Sequence, residues 1–258
     1  TKDATVLTNV RTALNVIYTP SNSNYNGVNG YIDLTLQDVT TLPKQNTGTG
    51  ALEKYHQLRS VELSAATSIG EKAFHYCEAL TTASMPKATS IGDYTFFNCA
   101  ALTTVNMPMA TSIGSGAFSA CYALTKVSMP KVTSIGNYGF SGCNALTTAS
   151  MPQATSIGSG AFYGCIALQS LDISSVTKIE KLGTDYGSMF FPAFDNATDP
   201  ETFKNCDLLL NSALKQYCYD TDGTSQNGPL VNLKIPTKIN SSDETDSYTF
   251  TFRSITFK

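Results

Sequence analysis

Cysteine is the most reactive residue type in this sequence, and its spacing limits the chemistry that it can perform. The chain has seven cysteines, and five of them recur every 22 residues. A disulfide needs Cβ atoms that face each other, and structural zinc needs four converging ligands. One cysteine per repeat, with parallel Cβ vectors, meets neither requirement, so we expect small apolar core residues. The five are Cys77, Cys99, Cys121, Cys143 and Cys165.

Histidine is the usual base for a cysteine nucleophile, and the chain has two histidines. A catalytic thiol needs its base within hydrogen-bond distance. His75 lies two residues from Cys77, but alternating side chains need not meet, and His56 belongs to the preceding repeat. We therefore expect surface histidines. The sequence predicts that the protein is not an enzyme and that it uses no cofactor.

An acidic loop, DTDGTSQN, offers Asp220 and Asp222 in the D-x-D-G order of a calcium site. A full calcium loop of this type also needs further oxygen ligands and a bidentate Glu at its end. Neither follows here, and Asp and Gly are common in ordinary turns. We expect a turn and no metal site, with these two residues as a weak calcium candidate.

The charge content excludes several classes of partner. Charged residues make up 14% of the chain and the net charge is −3. A nucleic-acid-binding domain carries a basic surface, so we expect no nucleic-acid partner. No apolar run is long enough to span a bilayer. The opening TKDATVLTNV lacks the regions of a signal peptide, but a trimmed chain would look the same.

A repeat of 22 residues organises most of the chain. Each unit reads L-x-x-[VA]-x-M-P-x-[AV]-T-S-I-G-x-x-[ATG]-F-x-x-C-x-[AL], and its first part fits the leucine-rich-repeat template. Val105 and Met107 alternate with polar neighbours, which predicts a strand, and Pro108 ends it because proline has no N–H for a ladder. We predict that the segment from Ala117 to Cys121 forms a single helical or 3₁₀ turn.

Stacking of these units into a solenoid is what their apolar content favours. One coil cannot enclose its own inward side chains, whereas neighbouring coils bury each other and the exposed ends need caps. We predict an N-terminal cap over residues 1–30, a solenoid over 31–210 with an insertion at 181–200, and a β-rich C-terminal cap over 211–258. Within the N-terminal cap, the spacing of Val6 and Val10 allows an amphipathic helix, and a β cap fits equally well.

The phrase TSIG-x-x-[AG]-F-x-x-C-x-[AL]-L-x-x-[VA]-x-MP closely resembles the BspA-like leucine-rich repeats of bacterial surface proteins of Bacteroides type. The resemblance covers residues 31–258 and departs from the family in having Met-Pro where Ile-Pro or Leu-Pro is commoner. It implies an α/β repeat fold, namely a right-handed solenoid with a parallel sheet on the concave side and short helical or 3₁₀ turns on the convex side. It brings no catalytic residues with it.

Two regions could bind a partner. The outward positions of the predicted sheet are small and polar, with Asn106, Lys126 and Asp172 as the candidates for contact. The insertion holds larger side chains of the kind that anchor interfaces. These are Tyr186, Met189, Phe190, Phe191 and Phe194. Packing of these aromatics over a flank of the solenoid is the alternative.

The function that the resemblance implies is non-enzymatic binding at the bacterial cell surface. Proteins of this family are typically exported, often through a lipid anchor carried by the precursor, and take part in adhesion to hosts or to other bacteria. We therefore expect an extracellular, monomeric protein that binds a protein or glycan. The alternative is a structural spacer or stalk with no ligand of its own.

Overall fold

Stacked parallel strands form the framework of this computed structural model. It describes residues 5–6, 10, 30–43 and 50–176, together with the backbone of four later strands. The longer strands of the stack are β1 (Ile32–Leu36), β3 (Leu58–Leu63), β5 (Thr82–Ser84), β7 (Thr104–Asn106), β9 (Lys126–Ser128), β11 (Thr148–Ser150) and β13 (Ser170–Asp172). Two-residue strands alternate with them: β2 (Thr41–Leu42), β4 (Ser68–Ile69), β6 (Ser90–Ile91), β8 (Ser112–Ile113), β10 (Ser134–Ile135) and β12 (Ser156–Ile157).

The two kinds of strand form separate parallel arrays. The short strands make one six-stranded sheet in the order β12-β10-β8-β6-β4-β2. The long strands make a sheet of order β1-β3-β5-β7 and a second sheet that begins at β9 and continues through β11 and β13. Strands of the regular coils pair at the 22-residue interval, with Ile69 opposite Ile91. In the first coil the interval is longer, and Leu42 lies opposite Ile69. This register confirms the predicted parallel solenoid, including its degenerate first coil.

The core is a continuous ladder of identical side chains. Phe74, Phe96, Phe118, Phe140 and Phe162 are all fully buried. Their ring centroids lie 5.2 to 5.6 Å apart in consecutive coils, and the ring planes are within 9° of parallel. Burying one such side chain contributes roughly 1.5–3 kcal/mol, and each ring is covered by its neighbours in the stack. Adjacent coils therefore complete each other's core.

The segments that follow the short strands are chains of turns, where the sequence predicts a helical or 3₁₀ turn. Within residues 50–176 no helical or 3₁₀ residue occurs. The amides of Ala73 and Cys77 close i→i+3 turns onto the carbonyls of Gly70 and Phe74. The alternate amides point along the stack instead, and that of Phe74 donates to Thr95 O of the next coil at 2.8 Å. In an α-helix these amides would donate to carbonyls four residues earlier in the same segment. Because they donate to the next coil instead, the segment is not helical.

Both ends of the chain have some described structure. Thr5, Val6 and Val10 are helical, and the two valines pack against the core. Four strands follow the coils: β14 (Asp207–Leu210), β15 (Leu233–Pro236), β16 (Ser247–Phe250) and β17 (Ser254–Phe257). β14 pairs in parallel with β13 and β17, and β15 pairs antiparallel with β16. The division into two caps and a solenoid remains a prediction.

Candidate binding surfaces

The five evenly spaced cysteines lie inside the core as free thiols. Each sulfur donates a hydrogen bond to a backbone carbonyl of the preceding coil, as Cys99 Sγ does to Phe74 O at 3.2 Å. The same bond occurs at Cys77, Cys121, Cys143 and Cys165, with distances of 3.0 to 3.2 Å. The thiol therefore serves the packing of one coil on the next.

Burial keeps these thiols protonated. Loss of solvent raises the pKa of Cys77 and of Cys143 to about 12, and it raises the pKa of the other three well above the ordinary value. The thiolate is the nucleophile and the metal ligand, so a protonated thiol can act as neither at neutral pH. In the described part of the chain, no three His, Cys, Asp or Glu side chains are grouped as metal ligands.

His75 belongs to an aromatic cluster and is partly buried, in contrast to the surface position expected from the sequence. Its ring stacks on Phe97 with centroids 5.1 Å apart and meets the edge of Tyr76. Nδ1 lies 3.4 Å from Glu53 Oε1. Burial lowers the pKa of His75, and the neighbouring carboxylate of Glu53 opposes that effect only in part. The contacts describe a packed side chain.

The long-strand face carries the three predicted contact residues of the sheet. Asn106 lies on β7 and donates from Nδ2 to Ser84 Oγ at 3.2 Å. Lys126 is exposed on β9, and Asp172 on β13 accepts from the amide of Ser174 at 3.2 Å. Asn106 stands in one long-strand sheet and the other two stand in the next. The structure thus places them along one face without bringing them together.

Threonine hydroxyls at the entry to the long strands are bonded to the neighbouring coil. Thr81, Thr103 and Thr147 each donate from Oγ1 to the carbonyl of the residue 22 positions earlier, at 2.9 to 3.1 Å. A ligand would have to compete with these bonds. The long-strand face is consequently polar but has part of its hydrogen-bonding capacity already in use.

Two of the predicted sites lie outside the described residues. They are the aromatic insertion, with Tyr186, Met189, Phe190, Phe191 and Phe194, and the candidate calcium loop with Asp220 and Asp222. Both remain predictions.

A third surface, which the sequence reasoning missed, is formed by the turn segments; we call it the turn face, and it comprises residues 92–100 and their equivalents in other coils. In each of the five coils from Lys72 to Gly164, two residues have φ between 54° and 73°. The first of the two is Lys72 in the earliest of these coils, and from Tyr94 onward it alternates between tyrosine and glycine. In consecutive coils it is Tyr94, Gly116, Tyr138 and Gly160.

Each of these tyrosines covers the glycine of the following coil. A Cβ added to Gly116 would lie 2.7 Å from Cδ1 and Cε1 of Tyr94, and one added to Gly160 would lie 2.5 Å from Cε1 of Tyr138. The rings therefore lie across the backbone of the next coil. Tyr94 remains 41% exposed and Tyr138 44% exposed.

The residue before each tyrosine adds a second contact across the coils. Asp93 Oδ1 accepts from the amide of Ser115 at 2.7 Å, and Asn137 Oδ1 accepts from the amide of Ser159 at 2.9 Å. Coils of Asx-Tyr type thus contact coils of Ser-Gly type, and over residues 92–160 the surface repeats every 44 residues. This alternation is visible in the sequence as GDY, GSG, GNY and GSG after successive isoleucines. A search for a 22-residue period misses it, because it treats tyrosine and glycine as variants of one position.

Parallel strands repeated at a fixed interval, with one leucine and one buried cysteine column, define a β-solenoid of the leucine-rich-repeat class. Residues 67–186 match, in six copies, the family model described as a BspA type leucine rich repeat region. This part of the chain therefore belongs to the BspA-type leucine-rich repeats, as its sequence predicts.

Three solved structures illustrate the likeness. A leucine-rich repeat protein from Bacteroides ovatus ATCC 8483 is 27% identical, with 54% of this chain and 36% of that protein covered and a TM-score of 0.41. A leucine-rich repeat protein of T. pallidum is 22% identical, with 57% and 70% covered and a TM-score of 0.41. A leucine-rich cell surface protein from Faecalibacterium prausnitzii A2-165 is 23% identical, with 67% and 51% covered and a TM-score of 0.37.

This chain thus spans about a third of the length of the B. ovatus protein. No protein of curated function matches its sequence. Within the described residues, none of the helical structure has the length and apolar content to cross a bilayer.

Proposed function

We propose that the protein is a non-enzymatic interaction module of the bacterial cell surface that binds a protein or glycan. The observation that carries this proposal is the register of the stack: within each long-strand sheet, an outward position of one coil lies beside the same position of the next. Such a stack presents long strips of side chains on a core that needs no ligand, and repeat proteins bind partners through extended surfaces of this kind.

Export to the cell surface is part of the proposal. BspA-type repeats are associated with bacterial surfaces, and the F. prausnitzii protein is described as a cell surface protein. Detection of the protein by antibody on intact cells, and its removal from them by added protease, is the expected result; protection of the protein until the cells are lysed would contradict export.

Binding is tested with the purified chain, which we expect to be a monomer by light scattering. Immobilised matrix proteins and a glycan array serve as probes, at low and at physiological salt. We expect capture that survives physiological salt, because the net charge of −3 gives little long-range attraction. Failure to capture any component of either panel would contradict the proposal.

Variants then locate the binding surface. Deletion of residues 181–200 removes the predicted aromatic anchors, and an Asn106→Ala, Lys126→Ala, Asp172→Ala variant removes the contacts of the long-strand face. We expect the variant that alters the binding surface to lose at least tenfold in affinity. Truncation of a hot-spot side chain commonly lowers the free energy of binding by about 2 kcal/mol or more. Retention of full affinity by a variant that remains folded excludes its surface.

A spacer without a ligand is the second candidate, and one observation favours it. Thr81, Thr103 and Thr147 already donate their hydroxyls to neighbouring coils. A long-strand face whose donors are satisfied internally is suited to solubility and stiffness. The same binding panel decides between the candidates, because a spacer captures nothing.

A further inference from the structure

The exposed apolar side chains of the described residues are concentrated on the turn face. Six large apolar residues are exposed there or elsewhere in the described part of the chain, and four belong to consecutive coils of this face. Those four are Tyr94, Tyr122, Tyr138 and Ile166. Isolated apolar residues on a surface need no explanation, whereas a contiguous group marks an interaction site.

Tyr94 and Tyr138, which we call the tyrosine row, have a conformation that a purely structural role does not require. Both have positive φ, 54° and 56°, a region that glycine occupies far more readily than tyrosine. Gly116 and Gly160 occupy the same position in the alternate coils. The coil therefore forms with glycine at this site, and the exposed aromatic ring is an addition to what the fold needs.

The orientation of the two rings makes them platforms. Each ring lies against a glycine of the next coil, and 41% of Tyr94 and 44% of Tyr138 nevertheless remain exposed to solvent. Two coils separate the rings, which is roughly 10 Å at the usual strand spacing. The coil between the two rings contributes Ser115 and Gly116, so the surface between the rings carries only small and polar groups.

The charged side chains beside the tyrosine row are bonded within the protein. Lys72, which holds the equivalent position one coil before Tyr94, pairs with Glu71 at 3.7 Å. The carboxylate of Asp93 accepts from the amide of Ser115. The groups beside the row are thus hydroxyls, the amide of Asn137 and one hydrogen-bonded carboxylate, a set that suits an uncharged ligand better than an anionic one.

A peptide fits this surface less well than a sugar chain does. An extended peptide gains affinity mainly from hydrogen bonds to main-chain groups. On the turn face these groups are occupied, since the amide of Tyr94 donates to Ser115 O and that of Tyr138 to Ser159 O, each at 2.8 Å. A sugar ring instead packs its C–H face on an aromatic ring, where apolar contact excludes water. Its hydroxyls form hydrogen bonds with polar side chains.

We propose that the tyrosine row binds a neutral, β-1,4-linked polysaccharide laid along the axis of the solenoid, with one sugar face stacked on each ring. In an extended chain of this linkage, alternate sugars present the same face, at a spacing close to two coils. The proposal rests on the proposed function, a non-enzymatic binding module, and names the ligand class for one of its surfaces.

The test is a titration of the intact chain with cellohexaose and chitohexaose, and with maltohexaose as the α-linked control. Tyr94→Gly/Tyr138→Gly is the variant of choice, because it installs the residue that the alternate coils already carry. We expect binding of at least one β-linked hexaose and a loss of about tenfold or more in the variant. Tyr94→Phe/Tyr138→Phe should keep binding within about threefold, since the ring face remains. Tyr31→Ala, distant on β1's side of the stack, should leave affinity unchanged.

A measurement on the unaltered protein covers the case in which the glycine variant does not fold. In NMR, saturation of the tyrosine ring protons should transfer to the C–H protons of the bound hexaose. The ring current of the stacked tyrosines should also shift the signals of these C–H protons upfield. Absence of binding by both β-linked hexaoses, equal binding of maltohexaose, or undiminished binding by a folded glycine variant would overturn the proposal. So would displacement of the hexaose by a proline-rich peptide that binds more tightly.

The result also separates this inference from the proposed function. A protein that captures other ligands in the panel, but no β-linked hexaose, refutes the tyrosine row and leaves the binding module standing. A protein that captures nothing refutes both.

Discussion

Each core cysteine combines two properties that alanine and serine offer only singly. It fills apolar volume, and its thiol donates to a carbonyl of the preceding coil, as Cys121 Sγ does to Phe96 O at 3.2 Å. A buried free cysteine ordinarily acts as a small hydrophobe with a weak donor. Here that weak donor recurs at the same place in five coils, so the column ties neighbouring coils together.

We predict that the five core thiols do not react with iodoacetamide in the native protein at pH 8. Burial raises the pKa of Cys143 to about 12, and alkylation requires a thiolate that reagent can reach. At most two of the seven cysteines, Cys206 and Cys218, should be labelled quickly. Mass spectrometry of labelled protein gives the count.

The same labelling in denaturant provides the control, where all seven thiols should react. Rapid labelling of three or more thiols in the folded protein would show that at least one core sulfur is accessible, which the described packing does not allow.

His75 should make stability depend on pH. Burial lowers its pKa below the ordinary value of 6.5, so between the two values the unfolded chain binds more protons than the folded protein. The free energy of unfolding therefore rises with pH across this window and declines as pH falls below 6.5. We predict that His75→Gln, which keeps a donor for Glu53, flattens this dependence in urea titrations at pH 5, 6 and 7. An unchanged slope would assign the dependence to other groups.

At the level of the coil, the structural unit of the turn face is a pair. The Asx-Tyr coil supplies the acceptor and the ring, and the Ser-Gly coil supplies the amide and the bare backbone that they cover. A tyrosine in the position of Gly116 would meet the tyrosine of the coil before it. Alternation of large and minimal residues is therefore a packing requirement once the ring is present.

The substitution Gly116→Ala tests this pairing. Its Cβ would lie 2.7 Å from the ring of Tyr94, at φ +59°. We predict a loss of about 2 kcal/mol in the free energy of unfolding, from overpacking and a left-handed alanine together. In the Tyr94→Gly background the loss should fall to about 1 kcal/mol, because only the backbone cost remains.

Ala120 supplies the reference for that second figure. It is an alanine at φ 59° in the same coil, so the turn tolerates a Cβ where no ring lies above it. Additive effects of the two substitutions in urea titrations would mean that ring and glycine do not interact, in contradiction to the described contact.

Sequence reasoning reached the architecture of these elements but not their details. The columns of Ile69, Ile91 and their successors predict the parallel stack because each coil must bury the same positions against its neighbours. The sequence predicts a single helical or 3₁₀ turn in these segments, because apolar spacing at Phe and Cys fits such a turn as well as it fits two i→i+3 turns. The choice depends on where the amides point, and no side-chain pattern reports that.

The candidate surfaces show the same division. Outward positions such as Asn106 and Lys126 follow from strand alternation and were predicted. Tyr94 and Tyr138 were not, because their significance lies in the contact with glycines one coil away. That contact depends on left-handed backbone, which in a sequence normally appears as glycine and here appears as tyrosine.

In the molecule as a whole, the long-strand array is divided into two sheets, whereas the short-strand array and the core are continuous. The long-strand ladder is interrupted between β7 and β9, while the short strands continue through it with Ile113 opposite Ile135. Phe118 and Phe140 still stack across the gap at 5.2 Å. The interruption is thus confined to one sheet of an otherwise continuous solenoid.

Hydrogen exchange should reveal this interruption at the amide of Thr125. The amide of Thr103 donates to Thr81 O at 2.9 Å, and that of Thr147 donates to Thr125 O at 2.8 Å. Within residues 50–176 the corresponding bond from Thr125 to Thr103 is missing. We predict that the amide of Thr125 exchanges about tenfold faster or more than those of Thr103 and Thr147, since protection follows the hydrogen bond that must open.

The three threonines are matched controls for one another. Each follows a leucine, so their intrinsic exchange rates are close, and NMR resolves them individually. If Thr125 is as protected as Thr147, the two long-strand sheets are joined in solution and the solenoid has one uninterrupted ladder. If Thr125 alone is fast, the phenylalanine stack and the short-strand sheet hold the two halves together, and a mutation such as Phe118→Ala should then be more damaging at this point than its equivalents elsewhere.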